Sequence, residues 1–360
     1  MVTLRLTWFT RILTVLLVMP GLSLAGKRVE PVGAVPSQSF RISTAQGTGV
    51  VPIVTSLDFS KPQPKVTRVV IIFHGKGRDV EGYYRTAMEA YNLAGANASD
   101  TAVIAPQFLD DEDVRDHHLA VDVLRWRGTD WEAGAPALAP VPMSSYEVVD
   151  HLLSGLADPA LFPNLKDVVL AGHSGGGQLL QRYAVVGREL PALDKARIHI
   201  RFVVANPSSY VYFTDERPAA RGGGMLPFKS DGCGNFNRWK YGTLNPPGYV
   251  KIDPDHTWPQ MEAAYAQRDV VYLLGTADTD PHEKDLDVSC SGEAQGPTRF
   301  ARGQAFYAYL HSRHRLAWNQ RMWFVPGVAH SAHKMFTSQC GIAAIFDAGH
   351  CADQTGETPR

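Results

Sequence analysis

Cysteine is scarce in this chain. Cys233, Cys290, Cys340 and Cys351 are the only four among 360 residues, and no C-x-x-C pair occurs. That pattern argues against a zinc knuckle and against a thioredoxin-like redox centre. No charge of one sign dominates, with 35 lysines and arginines against 36 aspartates and glutamates. A balanced chain has no bulk field to draw in nucleic acid, and no basic run with interleaved aromatics supplies a local one. No period recurs along the chain, which excludes a solenoid or a propeller. Neither H-E-x-x-H nor the EF-hand spacing occurs, and the glycines of 172–177 lack the Lys-Ser/Thr of a phosphate loop.

Long apolar runs are equally few. The segment "ILTVLLVMPGLSLA" (12–25) is too short to span a bilayer. Arg5 and Arg11 precede it, Pro20 and Gly21 break it, and the small residues Ser23 and Ala25 close it, which suits cleavage before Gly26. Residues 1–25 are therefore expected to be a signal peptide. The mature protein would then be periplasmic or extracellular, with no stable membrane anchor. In such an oxidising compartment the cysteines are expected to pair. Sequence proximity favours Cys340–Cys351 and leaves Cys233–Cys290, with two pairs of buried thiols as the alternative.

What is present is an alternation. With 44% hydrophobic residues the chain can bury a large core. "TRVVIIF" (67–73), "TAVIAP" (101–106), "KDVVLAG" (166–172), "IRFVVAN" (200–206), "DVVYLLG" (269–275) and "RMWFVPG" (321–327) are short apolar runs without strict alternation, as strands buried on both faces require. Helix-like stretches at 144–156, 177–190 and 299–317 fall between them. Strand alternating with helix implies an α/β protein with a mainly parallel sheet covered by helices. Ligands of such sheets bind beyond the carboxyl ends of the strands, so the exit loops are where chemistry is sought.

One exit loop carries "GHSGGGQ". Gly172-His173-Ser174-Gly175-Gly176 fits G-x-S-x-G, a strand-to-helix turn too tight for side chains on either side of the serine. A glycine turn that happens to hold a serine is the bland alternative. A serine hydroxyl is a weak nucleophile until a base takes its proton. In this architecture serine, acid and histidine follow in that order along the chain. His330 lies directly after the last strand, in "FVPGVAHSAH", with His333 as its rival. Asp278 is the first carboxylate after strand 269–275, with Asp280 as its rival. His74-Gly75 follows another strand, so the main-chain N–H of Lys76, with Gly75 adjacent, and that of Gly175 are the expected oxyanion hole.

These features together resemble the serine hydrolases of the α/β-hydrolase superfamily, over roughly residues 65–345. "NPSSY" (206–210), "WKYG" (239–242) and the "GHSGGGQ" turn also resemble a group of secreted, poorly characterised, esterase-like members. The resemblance implies a sheet of about eight strands, a Ser174–Asp278–His330 triad, a single domain over 26–360 and no cofactor.

Two insertions stand outside the minimal pattern. Residues 207–256 are rich in aromatics, which argues against disorder and suggests a lid or cap. His74, Tyr210, Trp239 and Tyr241 are candidate walls of a substrate pocket, the lid's own small core being the alternative. Residues 108–134 bring together Asp110, Asp111, Asp113, Asp116, His117 and His118, read as a solvated acidic loop rather than a metal site. The expected activity is hydrolysis of a small-molecule or polymer ester through an acyl-enzyme. A peptidase or amidase on the same triad is the alternative, and a non-catalytic binding module a more distant one.

Overall fold

Strands buried on both faces need apolar side chains at consecutive positions, and the sheet of this protein is built from such strands. The computed structural model describes residues 30–351 apart from 189, 220–223 and 230; the signal peptide expected at 1–25 lies outside them. Its strands are β1 (Ser39–Thr44), β2 (Gly47–Thr55), β3 (Arg68–Phe73), β4 (Thr101–Pro106), β5 (Asp167–His173), β6 (His199–Ala205), β7 (Asp269–Gly275) and β8 (Gln320–Val325). They form one eight-stranded sheet in the spatial order β1-β2-β4-β3-β5-β6-β7-β8. From β4 to β8 every neighbouring pair is parallel, whereas β1–β2 and β2–β4 are antiparallel. The sheet is thus mainly parallel, apart from its first strands.

The helices that bear on the site are α1 (Val80–Ala94), α2 (Ser145–Leu156), α3 (Gly175–Val186), α4 (Trp258–Gln267), α5 (Arg299–Arg313) and α6 (Gln339–Phe346). Successive side chains of a strand point to opposite faces, and the core divides accordingly. Val69, Ile71 and Phe73 join Leu152, Leu179, Tyr265 and Phe306 of α2 to α5 on one face. Val70 and Ile72 join Ala87, Ala90 and Phe346 of α1 and α6 on the other. Caps fix where the helices begin. Ser144 and Glu147 form a capping box at α2, and Thr298 accepts from the Ala301 N–H to start α5.

The insertions are tied into this frame. The acidic segment at 110–118 is the solvated loop expected there only in part, with Asp111, Asp116 and His118 exposed. Asp110 and Asp113 are buried, with Arg78 Nε 2.7 Å from Asp113 Oδ2 and Arg78 Nη2 3.5 Å from Asp110 Oδ2. The cation removes the cost of burying two carboxylates, and Asp110 caps the helix that follows. In the segment 207–256, Tyr210 and Tyr212 belong to the main core, packed on Phe306 with ring centroids 4.7 and 5.2 Å away. Both expected cysteine pairs are joined, Cys233 to Cys290 and Cys340 to Cys351.

Candidate active site

Four exit loops, after β3, β5, β7 and β8, meet at one end of the sheet. At the second, Ser174 takes φ 56° and ψ −116°, a region that a side chain enters only when its surroundings impose it. They do. A β-carbon on Gly172 would lie 2.5 Å from the Gly176 carbonyl, and one on Gly176 would lie 2.3 Å from the Phe73 carbonyl. With glycine at both positions, β5 turns straight into α3 and lifts Ser174 out of the sheet.

His330 and Asp278 complete a continuous line. His330 Nε2 is 2.9 Å from Ser174 Oγ, and His330 Nδ1 is 2.8 Å from Asp278 Oδ2. With Nδ1 donating to the carboxylate, Nε2 is left to accept the hydroxyl proton. The rivals lie elsewhere. His333 is exposed and paired with Glu89 on α1, at 2.9 Å. Asp280 is exposed and accepts the His282 N–H. Arg299, which sequence reasoning passed over, lies fully buried beneath the acid. Its Nη1 is 3.4 Å from Asp278 Oδ1, its Nη2 2.7 Å from Glu283 Oε2, and its Nε donates to Ser208 Oγ at 2.9 Å. Only its place at the start of α5, in the sequence an ordinary helix residue, brings it there.

Main-chain donors flank the serine. A β-carbon on Gly175 would stand 3.0 Å from Lys76 N, so these two residues are in contact beside Ser174. His74 holds the loop that carries Lys76. Its Nε2 accepts the Phe108 N–H at 2.9 Å, which leaves Nδ1 to donate to the Gly75 carbonyl at 2.9 Å. Burial drives the His74 pKa down to about 4, so the ring stays neutral and keeps this tautomer. His173, the residue before the serine, is held well below the usual histidine range, first by burial and then by His330. Its ring lies 4.4 Å from that of His330, and its Nδ1 is 3.3 Å from the Tyr83 hydroxyl.

The candidate pocket residues divide. His74 and Tyr210 have no exposed surface and are core rings, so neither offers a wall to a substrate. Trp239 and Tyr241 are partly exposed; Trp239 Nε1 donates to the Ala133 carbonyl at 2.7 Å, and the Tyr241 hydroxyl to Asp287 Oδ2 at 2.7 Å. A second unforeseen residue, Glu132, puts Oε1 2.5 Å from where a Gly175 β-carbon would be. Burial raises its pKa, against the opposing pull of Lys240, Arg182 and Lys76.

An eight-stranded, mostly parallel sheet with its serine on a strand-to-helix turn defines the α/β-hydrolase fold. Among solved structures the chain is similar to poly(aspartic acid) hydrolase-1 from Sphingomonas sp. KT-1, at 21% identity over 87% of this chain and 99% of that one, with a TM-score of 0.56. It is also similar to a poly(3-hydroxybutyrate) depolymerase from Bordetella parapertussis, at 20% identity over 89% and 93% of the two chains, with a TM-score of 0.57. No family model matches the chain, and no curated protein matches its sequence.

Proposed function

We propose that this protein is an exported serine hydrolase that cleaves carboxylic esters through an acyl-enzyme. The observation that carries the reading is the unbroken line Ser174–His330–Asp278, at 2.9 and 2.8 Å, on a strained elbow. Ser174 Oγ attacks the ester carbonyl carbon and its proton passes to His330 Nε2. The Lys76 and Gly175 N–H groups hold the negative oxygen of the tetrahedral intermediate. As that intermediate collapses, the carbon–oxygen bond to the alcohol breaks and His330 returns the proton to the leaving oxygen. Water then repeats the sequence on the acyl-enzyme, releasing the acid and restoring the serine. Asp278 fixes the histidine tautomer and steadies the imidazolium. The disulfides suit an oxidising compartment, and among the described residues no helix is long and apolar enough to cross a membrane.

The two similar enzymes act, by their names, on polymers, one of them a polyester and the other, poly(aspartic acid), a polyamide; the first supports polymeric as well as small esters as the substrate class, and the second is why matched amides belong in the test. Esters are favoured over amides, because amide cleavage also requires a clamp that turns a poor amine leaving group toward the histidine. The test is a panel of matched ester, amide and polymer substrates with wild type and Ser174→Ala, alongside labelling by a fluorophosphonate probe. Ester turnover that disappears with Ser174, and label on Ser174, are expected. Label elsewhere, or amide rates equal to ester rates, would overturn the assignment.

A further inference from the structure

The loop that carries the Lys76 N–H meets the elbow at two points. A β-carbon on Gly75 would stand 3.6 Å from Ser174 Cβ, and one on Gly175 would stand 3.0 Å from Lys76 N. His74 fixes the start of this loop through the Phe108 N–H. Two residues beyond Lys76, Arg78 takes φ 58°, a left-handed backbone that a side chain enters only when its surroundings impose it. What holds Arg78 there therefore fixes the loop's other end, and with it the direction of the Lys76 N–H.

The hold is a buried carboxylate from the acidic segment. Asp113 lies in the short helix Asp111–Asp116 and has no exposed surface. Its Oδ2 accepts from Arg78 Nε at 2.7 Å and from the Asp110 N–H at 2.9 Å. Its Oδ1 accepts from Arg78 Nη2 at 3.0 Å and from the Val32 N–H at 2.8 Å. Gln107 grips Arg78 by its main chain, with Nε2 donating to the Arg78 carbonyl at 2.8 Å and to the Ala34 carbonyl at 3.2 Å. The stretch at 32–34 is thus part of the seat, and His117 Nε2, 2.6 Å from the Val32 carbonyl, fastens it again.

A buried ion pair adds little net stability, because desolvation offsets the attraction. What a bidentate arginine–carboxylate pair does supply is direction. Here the direction is that of a loop whose N–H must meet an oxygen that turns negative only during turnover.

We propose that Asp113 is a positioning residue for the oxyanion hole, setting the Lys76 N–H through Arg78, with Gln107 and the stretch at 32–34 completing the seat. This inference rests on the reading of Ser174 as an ester-cleaving nucleophile with Lys76 as an oxyanion donor. Each hydrogen-bond partner of the Asp113 oxygens is a donor, so an asparagine in either orientation would set its own N–H groups against them. The test compares Asp113→Asn with Asp111→Asn, the same change at an exposed carboxylate of the same helix, paired with Arg125. The readouts are kcat/KM for ethyl butyrate and the Ki of propyl trifluoromethyl ketone. Ser174 Oγ adds to that ketone's carbonyl carbon, its proton passes to His330, and the former carbonyl oxygen is left negative with no group departing. Per folded molecule, Asp113→Asn should lower kcat/KM about tenfold or more and raise the ketone Ki in proportion, since a misplaced donor fails both charged states alike. Asp111→Asn should move neither. Gln107→Leu withdraws only the donor to the two carbonyls and should move both readouts together by about threefold. It decides the matter if Asp113→Asn does not fold. A residue that merely supports the fold would lower the melting temperature and leave both readouts unchanged per folded molecule. That result in Asp113→Asn, or in Gln107→Leu where the first does not fold, would overturn the inference and leave the esterase reading intact. Wild type that neither hydrolyses the ester nor binds the ketone would overturn both.

Discussion

At the scale of single residues, distance decides between near neighbours in sequence. His330→Ala and Ser174→Ala should each lower kcat by orders of magnitude, and the double variant should lose little more, because the pair acts as a unit. His333→Ala removes only an exposed contact with Glu89, so turnover should stay near wild type. Asp278→Asn should cripple turnover by favouring the wrong histidine tautomer, whereas Asp280→Asn should be mild. Steady-state kinetics of the five single variants and the double variant check this, and the reverse ranking between His330 and His333, or between Asp278 and Asp280, would move the role to the rival. Arg299→Met strands two carboxylates, Asp278 and Glu283, and should cost about 3 kcal/mol or more of stability in denaturant titrations. The line of Ser174, Asp278 and His330 was legible because each follows a recognisable strand end. Arg299 and Glu132 were not, because their proximity to the site comes from helix packing and a distant turn. Tyr210 and His74 misled for the opposite reason: closeness to a motif in sequence says nothing of whether a ring faces solvent or core.

Among the secondary-structure elements, the parallel strands were readable because burial on both faces leaves an uninterrupted apolar run. The β1–β2 hairpin was not, since β1 is largely exposed and its sequence, "SFRIST", has no such run. Between elements, Asp150 on α2 accepts the hydroxyls of Tyr183 on α3, at 2.7 Å, and of Tyr249, at 2.9 Å to its Oδ2. Burial pushes its pKa up from 3.8 to about 6, although the two tyrosines pull the other way. The folded state therefore binds this proton more tightly than the unfolded one. Its contribution is neutral below about pH 4, becomes unfavourable as pH rises toward 6, and stays so above. Asp150→Asn can still accept both hydroxyls but carries no charge. Relative to wild type it should gain on the order of 2 kcal/mol between pH 3.5 and pH 7. Denaturant midpoints of the two proteins that run parallel across that range would refute the account.

Across the whole molecule, the aromatic segment 207–256 is fastened rather than free. Arg217, almost wholly buried, donates to the carbonyls of Thr214, Phe236 and Tyr241 and to Asn237 Oδ1, and its guanidinium lies 4.4 Å from the Tyr212 ring. Cys233–Cys290 then ties that segment to the stretch between the acid loop and α5, where Tyr241 also meets Asp287 and Ser289. The two disulfides close loops of very different length, with sequence separations of 57 and 11. Loop-closure entropy assigns about 4 kcal/mol to the longer and about 3 kcal/mol to the shorter. Replacing Cys233 and Cys290 by serine should therefore lower the melting temperature more than replacing Cys340 and Cys351. Only the first pair should also disturb turnover, because it loosens the segment that carries Trp239, whose indole supports the turn bearing Glu132. The second pair lies on the other face of the sheet, with Cys340 inside α6, and should leave kcat/KM unchanged. Thermal melts and kinetics of the two double variants separate these effects. A larger loss from Cys340 and Cys351, or equal kinetic damage from both pairs, would mean that the disulfide at 233 does not hold the wall of the site.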